Sequence, residues 1–136
     1  MGKLGSWTCC WVAAAALTAV AGPSLAEIVT PLASQPLPGV ADKTFTAAVV
    51  ELGPGAHAAP HRHGEAFVYA YVLSGRVRSQ LEGQSAHDYS AGQSWTEPPG
   101  AHHLQTVNLS GARPLRLLVV FVAPTGAPLK TDDPAP

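Results

Sequence analysis

Cysteine and charge are both scarce in this sequence, and each shortage excludes a class of protein. The only cysteines are Cys9 and Cys10, so residues 27–136 contain no thiol for a disulfide or for a metal. A domain without disulfides depends on its core or on another kind of metal site. Charged residues make up 12% of the chain, and from residue 27 onward seven Lys and Arg accompany nine Asp and Glu. That mixture forms no basic stripe, which argues against nucleic acid as a partner.

Long apolar runs are also missing, which bears on the N-terminus. The apolar run from Cys9 to Ala21 is shorter than the roughly 20 residues that span a bilayer. A lysine precedes the run, a Gly-Pro pair ends it, and the small residues Ser24 and Ala26 suit a signal peptidase. We therefore predict a cleaved signal peptide at residues 1–26, a periplasmic or secreted location, and no membrane association after cleavage. The alternative is an uncleaved N-terminal anchor.

The rest of the sequence lacks helical periodicity, and short apolar or alternating stretches recur between Gly and Pro turns. Arg76 to Leu81 alternates strictly, with Val77, Ser79 and Leu81 on one face and polar side chains on the other. Many short strands with such turns indicate an all-β sandwich or barrel. The predicted strands are Thr44–Leu52, Ala66–Leu73, Arg76–Leu81, Ser85–Tyr89, Ser94–Thr96, His102–Val107 and Leu115–Val122.

The domain organisation follows from where these strands begin and end. Residues 27–42 carry three prolines and no period, which predicts an extended lead-in with a candidate edge strand at Ile28–Val29. Residues 43–123 are expected to form a single barrel domain. Residues 124–136 contain four prolines and a single large apolar side chain, Leu129, so we expect this tail to be disordered.

The histidines provide the clearest chemical signal. His61 and His63 are two residues apart, so in an extended chain both imidazoles point to the same face. His103 follows a Pro98-Pro99-Gly100 turn that would fix its direction. Neutral imidazole is the commonest metal ligand among side chains. A pair of histidines plus a distant one therefore predicts a metal site, whereas a single histidine would indicate only a polar loop residue.

Two motifs around these histidines resemble those of the cupin superfamily. The first runs from Gly55 through the paired histidines to Gly75. The second runs from Gly92 through a Pro-x-Gly turn and His103 to Asn108. The resemblance implies an all-β, cupin-type jelly-roll β-barrel. It also implies a divalent metal ion (Fe, Mn, Zn, Cu or Ni) held by the three histidines in the mouth of the barrel.

The resemblance is incomplete at the fourth ligand. The first motif of the family usually carries a glutamate after three or four intervening residues, where this chain has Phe67 and Val68. Glu65 and Gln105 are the candidate fourth ligands, although Gly64 could break the register that brings Glu65 to the histidines' face. If neither contributes, the site has three imidazoles and open positions, which is typical of catalytic metal sites.

Three functions are compatible with such a site. The first is a secreted or periplasmic metal-binding cupin that acts on a small organic molecule at a mononuclear three-histidine centre, as a dioxygenase-like oxidoreductase. The second is a non-catalytic cupin that binds a metal or a small ligand. The third is a metal-assisted isomerase or epimerase, which needs a general base. The candidate bases are Glu65, Glu97 and His57.

The last predicted strand bears on association. Between Leu115 and Val122 both alternating sets of side chains are apolar, except for Arg116. One buried face does not need both sets, so this strand is expected to be covered on both sides. We therefore predict a homodimer, which proteins of this resemblance often form through an edge strand or a sheet face.

Overall fold

A computed structural model describes residues 27–134, so the predicted signal peptide lies outside the described residues. No helix in residues 27–134 is long and apolar enough to cross a membrane. This part of the chain contains eleven β-strands. They are β1 (Ile28–Pro36), β2 (Lys43–Leu52), β3 (His57–Ala58), β4 (His61–Arg62), β5 (Phe67–Ser74), β6 (Arg76–Leu81), β7 (His87–Ser90), β8 (Ser94–Glu97), β9 (His102–Asn108), β10 (Leu115–Pro124) and β11 (Thr131–Asp132).

The strands form two antiparallel sheets. The first has the order β1-β2-β10-β5-β8, and the second has the order β11-β4-β9-β6-β7, with β3 also paired to β9. Strands that are distant in the chain lie side by side, as when β10 lies between β2 and β5. Buried side chains from both sheets make one core cluster. This is the jelly-roll architecture that the resemblance implies, and the all-β prediction is confirmed.

Strand β10 is the centre of the first sheet. It pairs with β2 on one side and with β5 on the other. Leu115, Leu117, Val119 and Phe121 are alternate residues that point inward and are buried. Burying one such side chain contributes about 1.5–3 kcal/mol. The core therefore explains the inward set of apolar residues, whereas the outward set, Leu118, Val120 and Val122, is only half-buried.

The seven strands predicted within residues 43–123 are all present, with ends that differ by at most two residues. The sequence missed β3 and β4, which carry His57 and His61. Each of these strands is two residues long, and a pair of residues shows no alternation that a pattern could reveal.

The lead-in forms a longer strand than the sequence predicts. Strand β1 pairs with β2 from Ile28 to Pro36, with a register shift between Pro31 and Ala33. Proline lacks a backbone N–H but is tolerated in an edge strand, where one side of the backbone needs no partner. The prolines of this segment are therefore compatible with a strand at the edge of the sheet.

The tail also differs from its prediction as a disordered segment, because residues 124–134 have specific partners. Strand β11 pairs with β4. Asp133 donates its backbone N–H to the carbonyl of Pro60, and its carboxylate lies 2.7 Å from His102 Nε2. These contacts are backbone and polar ones, so the low apolar content of the tail does not reveal them.

Candidate metal centre

The three predicted ligands lie together on the second sheet. His61 in β4 and His103 in β9 are directly opposite each other in the ladder, and His63 lies just beyond the end of β4. One nitrogen from each ring lies within 4.8 Å of the others, a spacing that can hold a metal ion. Each of the three residues is at most 9% exposed. The fold therefore brings together the trio that the sequence singled out.

Backbone carbonyls fix the direction of two imidazoles. His61 Nδ1 donates to the carbonyl of Ala59 at 2.7 Å, and His63 Nδ1 donates to that of Leu129 at 2.5 Å. A carbonyl can only accept, so each neutral ring has its proton on Nδ1 and a lone pair on Nε2. The two Nε2 atoms face each other at 3.2 Å. Because two lone pairs cannot form a hydrogen bond with each other, this arrangement fits a cation that both nitrogens bind.

Hydroxyl groups hold the third imidazole. His103 Nε2 lies 2.8 Å from Ser79 Oγ and 3.0 Å from Thr106 Oγ1. His103 Nδ1 is buried and makes no well-aligned hydrogen bond, although a Glu97 oxygen lies 3.0 Å away, so this nitrogen is available to a metal. Neither Ser79 nor Thr106 was predicted from the sequence to belong to the site. The one signal for Ser79 is the alternation of β6, which puts a polar residue on the inward face between Val77 and Leu81.

His61 is in the form that binds metal at neutral pH. Burial is the main reason that the pKa of His61 falls from 6.5 to about 4. The hydrogen bond to Ala59 opposes this shift, and the neighbouring His103 and His63 add to it. His61 is therefore neutral at pH 7, and the neutral ring is the form that binds a metal ion.

A carboxylate lies beside the trio. Glu97 ends β8 and is 2% exposed. Its Oε1 is 3.0 Å from His103 Nδ1 and accepts a hydrogen bond from Trp95 Nε1 at 3.1 Å. Its Oε2 is 3.7 Å from His63 Nε2. Burial raises the pKa of Glu97, but the two histidines and Trp95 outweigh burial, so the pKa falls below its ordinary value and the group is ionised at pH 7.

Three other candidates from the sequence face away from the trio. Gly64 has a φ of 56°, which breaks the strand register, and Glu65 is exposed. His57 is also exposed, while the adjacent Ala58 points inward. Gln105 is half-buried in β9 next to a register shift. It does not line the cavity that the trio borders. Neither Glu65 nor Gln105 therefore lies where a fourth ligand is needed.

The trio and Glu97 form part of the wall of a cavity of about 210 Å³. Trp95 is also in this wall. Glu27 and Lys130, which form an ion pair, are the other charged residues that line it. The site thus lies on one side of a mostly apolar chamber. The apolar lining consists mainly of Val29, Val50, Leu52, Ala70, Leu117, Val119, Phe121 and Leu129.

Two residues near the motif histidines have structural roles. Asn108 is buried, and its Nδ2 donates to the carbonyls of Gly53 at 2.9 Å and of Arg113 at 2.8 Å. It thereby ties the end of β9 to the turn after β2 and to the loop before β10. His102 is adjacent to His103 but contacts Asp133 of the tail, so it takes no part in the trio.

The family of the chain follows from the fold and this site together. A family model for the cupin domain matches residues 48–121, which is more than half of the chain, and the chain belongs to that family. The matched segment contains the three histidines and Glu97. Among curated proteins, no sequence matches the chain.

Solved structures share the fold at low sequence identity. A protein with a double-stranded β-helix domain from Klebsiella pneumoniae has 19% identity and a TM-score of 0.63, over 84% of this chain and 90% of that one. The DMSP lyase DddQ from Ruegeria pomeroyi has 21% identity and a TM-score of 0.61, over 76% and 50%. The cupin domain of Cnp3 from Schizosaccharomyces pombe has 17% identity and a TM-score of 0.61, over 73% and 66%. The chain therefore spans half of the lyase and about two thirds of the yeast domain, and these likenesses show the fold alone.

Proposed function

We propose that this protein is a metal-dependent enzyme that acts on a small organic molecule, with His61, His63 and His103 holding one divalent ion. The observation that carries this proposal is the apolar cavity of about 210 Å³ that has the trio in its wall. Substrate pockets are typically apolar chambers with a few converging polar groups. A site that only stores a metal does not need such a chamber.

The size and lining of the cavity limit the substrate. Pockets for drug-sized ligands are about 300–1,000 Å³, so this one suits a smaller molecule. Its apolar wall favours a compact, largely apolar substrate with an oxygen atom directed at the metal. The lyase named above acts on a small organic molecule, by its name, which supports this substrate class without specifying it.

A dioxygenase-like reaction is the form of this activity that the site supports best. Three protein ligands, or four around a six-coordinate metal, leave coordination positions for both substrate and dioxygen, and a bound metal would polarise an oxygen atom of the substrate. The chain itself contributes the orientation of the trio through Ala59, Leu129 and Ser79. The apolar wall keeps water away from the reacting groups.

The isomerase or epimerase alternative depends on a single residue. Of the three candidate general bases, only Glu97 lines the cavity, since Glu65 and His57 are exposed. The Glu97 carboxylate already accepts a hydrogen bond from Trp95 and lies beside His103. The pKa of Glu97 is lowered, which makes the carboxylate a weaker base for a substrate proton and favours the oxidative reaction.

The test is oxygen uptake by the full-length protein loaded in turn with Fe²⁺, Mn²⁺, Zn²⁺, Cu²⁺ and Ni²⁺. A panel of small enols, phenols and organic acids serves as substrates. We expect metal-dependent oxygen consumption with at least one compound and none with the His103→Ala variant. Tight metal binding without turnover of any compound in the panel would support the non-catalytic alternative instead.

We also propose that the protein is exported and acts as a homodimer. The support for export is the pattern of residues 1–26. The support for a dimer is the outward face of the first sheet, where apolar residues of β2, β10 and β5 lie side by side. These residues are Phe45, Ala47, Val49, Phe67, Tyr69, Tyr71, Leu118, Val120 and Val122.

A further inference from the structure

We propose that Glu97 is the fourth protein ligand of the metal, so that the centre consists of three imidazoles and one carboxylate. This inference rests on the proposed metal site. Glu97 does not belong to the segment with the paired histidines. It lies in β8, a strand of the sheet opposite to the one that carries the trio. It also differs from the ligands that the sequence favours, Glu65 and Gln105, which do not line the cavity.

The distances around Glu97 suit ligands of a common ion. Two ligand atoms that each lie about 2.1 Å from one ion are about 3.0–3.4 Å apart at octahedral or tetrahedral angles. In the structure, Glu97 Oε1 is 3.0 Å from His103 Nδ1, and the Nε2 atoms of His61 and His63 are 3.2 Å apart. Glu97 Oε2 is 3.7 Å from His63 Nε2, and the ligand nitrogens of the three histidines lie within 4.8 Å of one another, so the side chains would draw closer around an ion.

The hydrogen bonding of these groups is incomplete without an ion. Glu97 Oε2 and His103 Nδ1 are both buried, and neither makes a well-aligned hydrogen bond. A buried carboxylate oxygen without a partner costs free energy, because burial removes it from water. A cation held by the Glu97 carboxylate, His103 Nδ1 and the two Nε2 lone pairs would satisfy these groups together.

The strand pairing explains why the carboxylate is at position 97. Glu97 in β8 lies directly opposite Val68 in β5, and both side chains point inward. Val68 is one of the two positions where the first motif would carry its glutamate. A carboxylate on the neighbouring strand reaches the same region of the interior from a different point in the chain. In the sequence, Glu97 is only a lone glutamate before a Pro-Pro-Gly turn. That pattern does not indicate a metal ligand unless the pairing of β8 with β5 is known.

The experiment compares the full-length protein with Glu97→Gln and Glu65→Gln. Both exchanges replace a carboxylate with an amide of the same shape, but Glu65 is exposed and outside the cavity. Each protein is loaded with Co²⁺, whose affinity is measured by chelator competition and whose ligand set is read from its visible absorption. Thermal melting of the metal-free proteins checks that each variant folds.

We expect Glu97→Gln to bind Co²⁺ at least about 100-fold more weakly, with altered absorption bands, because loss of an outer-shell partner alone costs about 10–100-fold. Glu65→Gln should match the wild type in both measurements. Unchanged affinity and absorption in Glu97→Gln would overturn the inference while leaving the three-histidine centre intact. Weaker binding with unchanged bands would also overturn it, because Glu97 would then only position His103.

Two further outcomes keep the test decisive. If Glu97→Gln fails to fold, Glu97→Asp keeps the charge but withdraws the carboxylate by one methylene group. Weaker binding with shifted bands in Glu97→Asp supports the ligand role, and wild-type behaviour contradicts it. Failure of the wild type itself to bind Co²⁺ would overturn the proposed function as well, so the two failures are distinguishable.

Discussion

At the scale of single residues, the site depends on which nitrogen of each imidazole carries the proton. The carbonyls of Ala59 and Leu129 fix this choice for His61 and His63. That His61 and His63 lie on one face could be predicted from the sequence, because residues two apart in an extended chain point to the same side. It could not supply the carbonyl of Leu129, which lies 66 residues from His63 along the chain.

Ser79 provides a prediction at this scale. Its hydroxyl lies 2.8 Å from His103 Nε2, so Ser79→Ala removes one of the groups that orient the ring. We expect a loss of about tenfold in metal affinity, which is typical of a partner that does not touch the metal. Chelator competition measures it, with Ser85→Ala as the control because Ser85 is exposed. Equal affinities in the two variants would show that Ser79 does not orient His103.

The pKa of His61 gives a second prediction, for the metal-free protein. The folded state holds this pKa at about 4, below the 6.5 of the unfolded chain, so unfolding takes up a proton as the pH falls. Stability from this group is complete above pH 6.5 and is lost between pH 6.5 and 4, by up to about 3 kcal/mol. Urea unfolding at a series of pH values measures this loss. His61→Gln should weaken the dependence, whereas the exposed His87→Gln should retain it.

At the scale of elements, the site joins strands from both sheets. The histidines come from the β4–β9 region, and Glu97 comes from β8. The sequence predicted most of these strands but not their pairing, and the pairing determines which side chains meet. Glu65 is the clearest example of what spacing alone does not predict. Residue alternation would put Glu65 on the same face as His63, but the left-handed backbone of Gly64 breaks the alternation and directs Glu65 to solvent.

The tail supports the site as an element, which can be tested by truncation. Removing residues 125–136 deletes the Leu129 carbonyl that holds His63 and the strand that pairs with β4. We expect metal affinity to fall about tenfold or more although every ligand remains. A chain ending at Pro134 keeps these contacts and should bind like the wild type. If the protein without residues 125–136 binds metal as tightly as the wild type, the tail does not support the site.

At the scale of the whole molecule, the sequence predicted the fold class well and the closure of the barrel poorly. Short alternating strands and Gly or Pro turns indicate an all-β domain whatever the pairing. One edge strand of each sheet, β1 or β11, comes from a segment whose prolines and charges favour an irregular structure. Their strand conformation depends on tertiary partners, β2 and β4, which local composition does not encode.

The outward face of the first sheet gives a prediction about assembly. Phe67 is 43% exposed on this face, next to Val122 of β10. We expect the wild type to sediment as a dimer at micromolar concentration, and Phe67→Glu to sediment as a monomer because it would bury an unpaired charge. Val40→Glu is the control, since Val40 is 49% exposed in the turn before β2. A monomeric wild type would contradict the predicted homodimer.

The central claim is that three imidazoles from two distant parts of the chain hold one ion. Elemental analysis of the purified wild type and of the His61→Ala/His103→Ala variant tests it most directly. We expect about one divalent ion per wild-type chain and at least a tenfold lower content in the double variant, because one imidazole cannot replace three. Stoichiometric metal in the folded double variant would show that the three histidines do not hold the ion.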